Sequence, residues 1–228
     1  MVLDGTISGY QQMSAQKQQP TRVITLAGTK GGLGKSTLAC SLAIRATEDG
    51  GKVALLDLDP QASLTGWWMR RGKTRNPKLY ELDATTEAVE LLISEGWRYV
   101  FIDTPPANIQ RIAPGIACAD LVLIPTAPNA FDIEQVPLTV ELCESQNKPH
   151  AVIFNRVPPS SAKLLKSSKQ FLRSEGCNVL EESIGFRQHY MAALTQGKAG
   201  HELDKGTAVR AEVDALWRSI LNTLAVTP

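Results

Sequence analysis

The stretch Thr29-Lys30-Gly31-Gly32-Leu33-Gly34-Lys35-Ser36-Thr37 constrains this chain more than any other. It follows the β-branched apolar run Arg22-Val23-Ile24-Thr25-Leu26-Ala27 and precedes a helical pattern over residues 38–46. Strand, glycine-rich turn and helix, in that order, make the context in which a loop binds phosphate. Gly31, Gly32 and Gly34 let the backbone curl against a polyphosphate that a Cβ would obstruct. The N–H groups that open the new helix then face the phosphates, helped by the helix dipole. Lys35 is placed to reach the terminal phosphates, and the Ser36 hydroxyl to ligate Mg²⁺. A glycine turn without a ligand is the plainer alternative, and the Gly-Lys-Ser-Thr run between these flanks argues against it. Thr29 stands where the usual pattern opens with glycine. Lys30 is an extra cation inside the loop, too early to share the role of Lys35 on the same nucleotide.

The chain has 228 residues, 43% hydrophobic and 21% charged, enough for a single sizeable α/β core. A formal charge of +1 means that any basic surface has to be a local patch. Cys40, Cys118, Cys143 and Cys177 are scattered with no C-x-x-C pair, which argues against a zinc ribbon, an iron–sulfur ligand set or a disulfide framework. Buried, reduced thiols in a cytoplasmic protein are expected instead. No run is apolar enough to span a bilayer. Residues 1–20, rich in Gln, Ser and Gly, read as a disordered lead-in, and residues 21–228 as a single domain.

Residues 53–59 read as a buried parallel strand with Asp57 and Asp59 at its C-terminal end, the end of an open α/β sheet where ligands gather. Two apart on a strand, they would share a face; a solvated strand tip is the alternative. A helix containing Trp67 and Trp68 follows, then a short strand over residues 78–82 and a helix over residues 85–94. Tyr99-Val100-Phe101-Ile102-Asp103 is an apolar run ending in a carboxylate, followed by Thr104-Pro105-Pro106. Downstream of a phosphate loop it reads as a Walker B strand whose Asp103 holds Mg²⁺ through water. Further strands are expected over residues 120–125 and 151–155, with a helix over residues 133–145 between them. Asn155-Arg156 falls at a strand tip, where an amide can pair with an adenine edge or simply end the strand. The helix over residues 161–174 carries Lys163, Lys166, Lys169 and Arg173 on one face, either solvated or lying along a phosphate backbone. The last helix, residues 208–225, has apolar spacing suited to packing on a sheet and few cations, unlike a membrane-surface helix.

The loop Lys30-Gly31-Gly32-Leu33-Gly34-Lys35-Ser36 resembles the deviant Walker A motif of the ParA/MinD ATPases, whose mark is the extra lysine. Leu56-Asp57-Leu58-Asp59-Pro60-Gln61 is similar to that family's second motif, and Phe101-Ile102-Asp103-Thr104-Pro105-Pro106 to its Walker B. Pro125-Thr126-Ala127-Pro128 and residues 187–198 also resemble ParA-type chains. The resemblance runs from about Arg22 onward. It implies the P-loop NTPase class of α/β fold, a mostly parallel twisted sheet with helices on both faces. It further implies an ATP-bound sandwich homodimer in which Lys30 reaches the partner's phosphates. On this resemblance Gly31, Gly32, Leu33, Gly34, Lys35, Ser36 and Thr37 cradle ATP, while Ser36, Asp57 and Asp103 serve Mg²⁺. Asp59 orients the attacking water, with Lys30 and Lys35 completing the catalytic set, and Asn155 and Arg156 meet the base.

Which surface such a dimer uses follows from the same resemblance. MinD-like chains use a C-terminal amphipathic helix on membrane, and the larger plasmid ParA proteins an N-terminal DNA-binding domain; neither pattern is evident. The sequence is most like small ParA-type partition and positioning ATPases, which bind DNA non-specifically as the ATP dimer. Arg187 is the best-matched DNA contact, with Lys198, Lys205 and Arg210 as neighbours. That implies a cytoplasmic protein, nucleoid-associated when ATP-bound, with slow hydrolysis stimulated by a ParB-like or other cargo adaptor. A MinD-like membrane role and a small-molecule ATP-dependent synthetase are the alternatives.

Overall fold

The computed structural model describes residues 19–106, 109–203 and 208–226. The lead-in expected over residues 1–20 falls outside these save for Gln19 and Pro20, and so does Lys205. Among the described residues seven strands form one parallel sheet: β1 (Arg22–Leu26), β2 (Val53–Asp57), β3 (Lys78–Tyr80), β4 (Tyr99–Asp103), β5 (Leu121–Thr126), β6 (His150–Val157) and β7 (Val179–Gly185). Their order is β3-β2-β4-β1-β5-β6-β7. The helices are α1 (Lys35–Glu48), α2 (Ser63–Arg70), α3 (Thr86–Ser94), α4 (Ile109–Ala117), α5 (Ala130–Ile133), α6 (Val136–Ser145), α7 (Ala162–Ser174), α8 (Gln188–Thr195), α9 (Gly200–Leu203) and α10 (Ala208–Val226).

The central strands are apolar throughout because both sheet faces are covered. Along β4, Tyr99 and Phe101 pack with α1 and α10 on one face, while Val100 and Ile102 pack with Leu92 of α3 on the other. Along β6, Ala151 and Ile153 face the first side; Val152 and Phe154 join Ile112 of α4, Val140 of α6 and Leu172 of α7 on the second. This is the expected P-loop α/β class. Cys40, Cys143 and Cys177 are buried, Cys118 is half-buried, and all four are free thiols.

Four local expectations need correction. Strand β2 stops at Asp57, so Asp59 lies past the sheet and does not share a strand face with it. The helix expected over residues 133–145 is two, α5 and α6, because Pro137 lacks an N–H and favours the first turn of a new helix. Strand β7 and helix α4 were not anticipated: β7 carries Glu181, Glu182 and Ser183 at the sheet edge, and α4 has Pro114 and Gly115 in its interior. The cations of α7 do not form one outward strip. Lys169 is buried and donates to the Glu181 carbonyl, and Arg173 donates to the Val179 carbonyl and the Glu181 carboxylate. These two tie α7 to the edge strand, while Lys163 and Lys166 are exposed.

Candidate functional site

The loop between β1 and α1 opens at the C-terminal edge of the sheet. Its helix begins with Gly34 at φ 82°, a left-handed conformation that glycine adopts without strain. A Cβ on Gly34 would meet the Asn155 amide nitrogen at 2.5 Å. The first helical bond runs from Leu38 N–H to the Gly34 carbonyl at 2.9 Å, so the N–H groups of Lys35, Ser36 and Thr37 have no intrahelical partner. They are the groups an anion at this helix end would engage.

Lys35, Ser36 and Thr37 line a cleft of about 830 Å³, together with Gly32, Gly34, Asp59, Asn155 and Arg156. The Lys35 ammonium is buried and donates to the Lys30 carbonyl at 3.3 Å. Burial lowers its pKa from the ordinary lysine value, opposed by the charges of Asp103 and Asp59.

Three carboxylates stand at this edge in different states. Asp57 and Asp103 are Cα partners across β2 and β4, and Asp103 is likewise level with Leu26 of β1. One Asp57 oxygen accepts from the Thr65 backbone N–H and hydroxyl, each at 2.8 Å; the other accepts from Asp59 N–H at 3.2 Å. Asp59 accepts from Gln61 N–H at 2.9 Å and lines the cleft. Asp103 is fully buried, and neither of its oxygens has a hydrogen-bond partner. Burial pushes its pKa up to about 7; the Ser36 hydroxyl beside it pulls the other way, without satisfying either oxygen. A buried carboxyl left without a partner is costly, and a cation or its water shell beside Ser36 would remove that cost.

Lys30 is elsewhere. Its ammonium pairs with the buried carboxylate of Asp132 in α5, its side chain is 39% exposed, and it does not line the cleft. Asp132 was not singled out from the sequence, where a lone carboxylate after Pro128-Asn129 carries no signal.

Strand β6 runs on to Val157, so Asn155 and Arg156 lie within it rather than at its tip. The Asn155 amide is engaged at both ends: it donates to the Leu33 carbonyl at 2.7 Å and accepts from Arg156 N–H at 2.9 Å. Arg156 donates to the Gly32 carbonyl, and its guanidinium lies 5.3 Å from the centroid of the Phe186 ring. Both side chains therefore grip the loop in this conformation. Phe186 and Tyr190, which also line the cleft, were missed because the strand leading to them was missed.

The basic residues expected to meet DNA differ in their surroundings. Arg187 lines the same cleft and pairs with Glu212 at 2.6 Å, which raises its pKa. Arg210 pairs with Glu48 at 2.7 Å and Asp214 at 2.9 Å, and Lys205 lies outside the described residues. Lys198 is exposed and makes no ion pair among the described residues. Among those residues no helix is long and apolar enough to cross a membrane.

Known proteins resemble the chain in sequence and in fold. Residues 24–199 match the CobQ/CobB/MinD/ParA nucleotide binding domain. The chain is 31% identical over 219 residues to maintenance of carboxysome distribution protein A of Gloeobacter kilaueensis, covering 86% of this chain and 96% of that protein. It is 28% identical over 191 residues to protein ParA of Rhizobium radiobacter, covering 79% and 86% of the two. The MinD cell division protein of Aquifex aeolicus superposes with a TM-score of 0.73 over 89% of this chain and 98% of that one, at 20% identity. A match that begins in β1 and runs to the α8–α9 turn takes in the whole loop and all three carboxylates, and the chain belongs to the CobQ/CobB/MinD/ParA nucleotide-binding family.

Proposed function

We propose that the chain is a ParA-type positioning ATPase: an ATP-bound homodimer that holds non-specific DNA and lets go after slow, partner-stimulated hydrolysis. The observation that carries this reading is the separation of the two loop lysines. Lys35 is buried in the cleft among Asp59 and Asp103, whereas Lys30 points out of it and is held by Asp132. A second cation that does not serve its own cleft is available to the phosphates of a facing subunit.

Within the cleft, the N–H groups of Lys35, Ser36 and Thr37 would bind the phosphates and Lys35 would take the terminal ones. The Ser36 hydroxyl, and Asp103 through water, fit Mg²⁺, because Asp103 is the buried acceptor that the protein leaves unsatisfied. Bound Mg²⁺ would offset charge on the phosphate oxygens. Asp57 holds the backbone of Asp59 in place, and Asp59 would orient the attacking water. Phe186, backed by Arg156, offers a flat apolar wall for the base.

Helix α10 bears on the membrane alternative. Val209, Val213, Leu216, Trp217, Ile220 and Leu224 are buried in the core, so its apolar face is not offered to a lipid surface. The relatives' roles in partition and in carboxysome distribution support a large cargo, whether plasmid, chromosome or protein assembly.

Light scattering and phosphate release with Mg²⁺ and ATP test the reading. The wild-type chain is expected to dimerise with ATP and hydrolyse it slowly, Asp59→Ala to accumulate as dimer, and Lys30→Gln to remain monomeric. Unchanged dimerisation and turnover in Lys30→Gln would remove the case for a sandwich dimer.

A further inference from the structure

Helix α2 is tied to the carboxylate segment at one end and to the α8–α9 turn at the other. At its start, Thr65 donates twice to Asp57, which also accepts from Asp59 N–H, while Asp59 accepts from Gln61 N–H. Asp57, Asp59 and the first turn of α2 are one hydrogen-bonded unit. At the far end Trp67 Nε1 donates to the Lys198 carbonyl at 3.1 Å and Arg70 Nε to the Leu194 carbonyl at 3.0 Å. Arg71, which follows the helix, donates to the Gly197 carbonyl at 3.0 Å and grips Glu202 through its two terminal guanidinium nitrogens, at 2.8 and 2.9 Å. Glu202 in turn accepts from Ala199 N–H at 2.6 Å.

This far joint has no slack. At Gly197, φ +67°, backbone meets backbone: a Cβ there would sit 2.3 Å from the Arg71 nitrogen. Trp67 is 1% exposed, so solvent does not lubricate the contact. The whole helix, joint residues included, is eight residues, roughly 12 Å long. A helix that short, bonded at both ends, moves as a body.

We infer that α2 is a strut that carries movement of the Asp57–Asp59 segment to the turn bearing Lys198, with Arg71 as the positioning residue of its far joint. When nucleotide engages Asp59, the first turn of α2 moves with it, and residues 194–199 follow. The inference rests on the nucleotide-site reading. Its consequence, that an acidic polymer such as duplex DNA meets a differently set Lys198 in each nucleotide state, rests on the proposed function. Arg71 does not line the cleft, so its removal is expected to leave nucleotide binding in place.

Amide hydrogen exchange on the full chain, without nucleotide and with Mg²⁺ and a non-hydrolysable ATP analogue, reads the two ends separately. In the wild type, protection is expected to change at residues 58–66 and at residues 194–200. In Arg71→Ala the first change should persist and the second shrink at least threefold. Glu202→Gln, which weakens the same grip without touching α2, should shrink it in the same direction and guards against a folding defect in Arg71→Ala. A response at residues 194–200 that survives in both variants overturns the strut, as does a wild type that responds only at residues 58–66. No response at either end overturns the strut and the nucleotide-site reading together. DNA affinity is a separate arm: its independence of nucleotide in the wild type would count against the DNA reading, while the exchange result still decides the strut.

Discussion

Asp57 and Asp103 are Cα partners where β2 and β4 end, yet only Asp57 has its carboxylate hydrogen-bonded. The difference follows from what comes next in the chain. After Asp57 the backbone turns so that Asp59 and Thr65 can donate back to it; after Asp103, Thr104 donates to Leu26 and Pro105 and Pro106 have no N–H to offer. Asp103 is thereby left without a hydrogen-bond donor from the protein.

Asp103→Asn is expected to stabilise the nucleotide-free protein above neutral pH while abolishing its response to Mg²⁺. The Asp103 carboxyl, pushed up to about 7 from 3.8 mainly by burial, holds its proton longer in the native state than in the unfolded chain. Its contribution to stability therefore falls as pH climbs from about 4 to about 7. Replacing it should gain on the order of 1–3 kcal/mol at pH 8. Calorimetry with ATP alone and with Mg²⁺-ATP checks both halves: the variant should melt higher unliganded and show no extra shift from the metal.

In the proposed dimer, Lys30 would have to leave Asp132 before reaching the facing subunit. A pair this exposed on the lysine side holds by about 1 kcal/mol or less. Asp132→Asn is thus expected to lower the ATP concentration needed for dimerisation by roughly two- to fivefold. Light scattering against ATP concentration measures it, and a higher requirement in Asp132→Asn would mean that Asp132 helps to place Lys30 in the dimer.

His201 is expected to make the fold sensitive to mild acid. It is fully buried, neither ring nitrogen has a hydrogen-bond partner, and Glu48 lies 3.8 Å away. Burial, then the Arg210 charge, lower its pKa below the ordinary 6.5, against the pull of Glu48, Glu202 and Asp214. The unfolded chain takes up this proton first, so stability should fall as pH drops below 6.5, by at most about 1.4 kcal/mol per pH unit. His201→Gln should flatten urea-derived stabilities between pH 5 and pH 7; an unchanged slope would assign the dependence to another group.

The cations of α7 should separate by function. Arg173→Ala removes bonds to the Val179 carbonyl and the Glu181 carboxylate, and should cost about 1–2 kcal/mol in stability. Lys163→Ala and Lys166→Ala, at exposed positions, should fall within about 0.5 kcal/mol of the wild type. Chemical denaturation of the three variants measures this.

How much of this could be read from sequence depends on whether the signal was local. The loop, both carboxylate motifs and the central strands are contiguous runs, and Lys35, Ser36, Asp59, Asn155 and Arg156 do line one cleft. Edge strand β7 escaped because Glu181, Glu182 and Ser183 break any apolar run, and with it went Phe186 just past its end and Tyr190 in α8. Lys169 read as a surface cation because spacing does not show that β7 offers it a carbonyl. The pairing of Lys30 with Asp132, the bare carboxyl of Asp103 and the grip of Arg71 on Gly197 all join segments far apart in the chain.

The most direct test of the account is binding to a non-specific DNA duplex with ATP, with ADP and without nucleotide, at low and at physiological salt. ATP should confer affinity, salt should weaken it steeply as counterions are released, and Lys198→Glu should reduce it without loss of dimer. Charge reversal at Arg187 or Arg210 would also break ion pairs with Glu212, Glu48 or Asp214, so Lys198 gives the cleaner comparison. If ATP confers no affinity for DNA even at low salt, the chain does not use DNA as its surface, and the positioning account in this form is wrong.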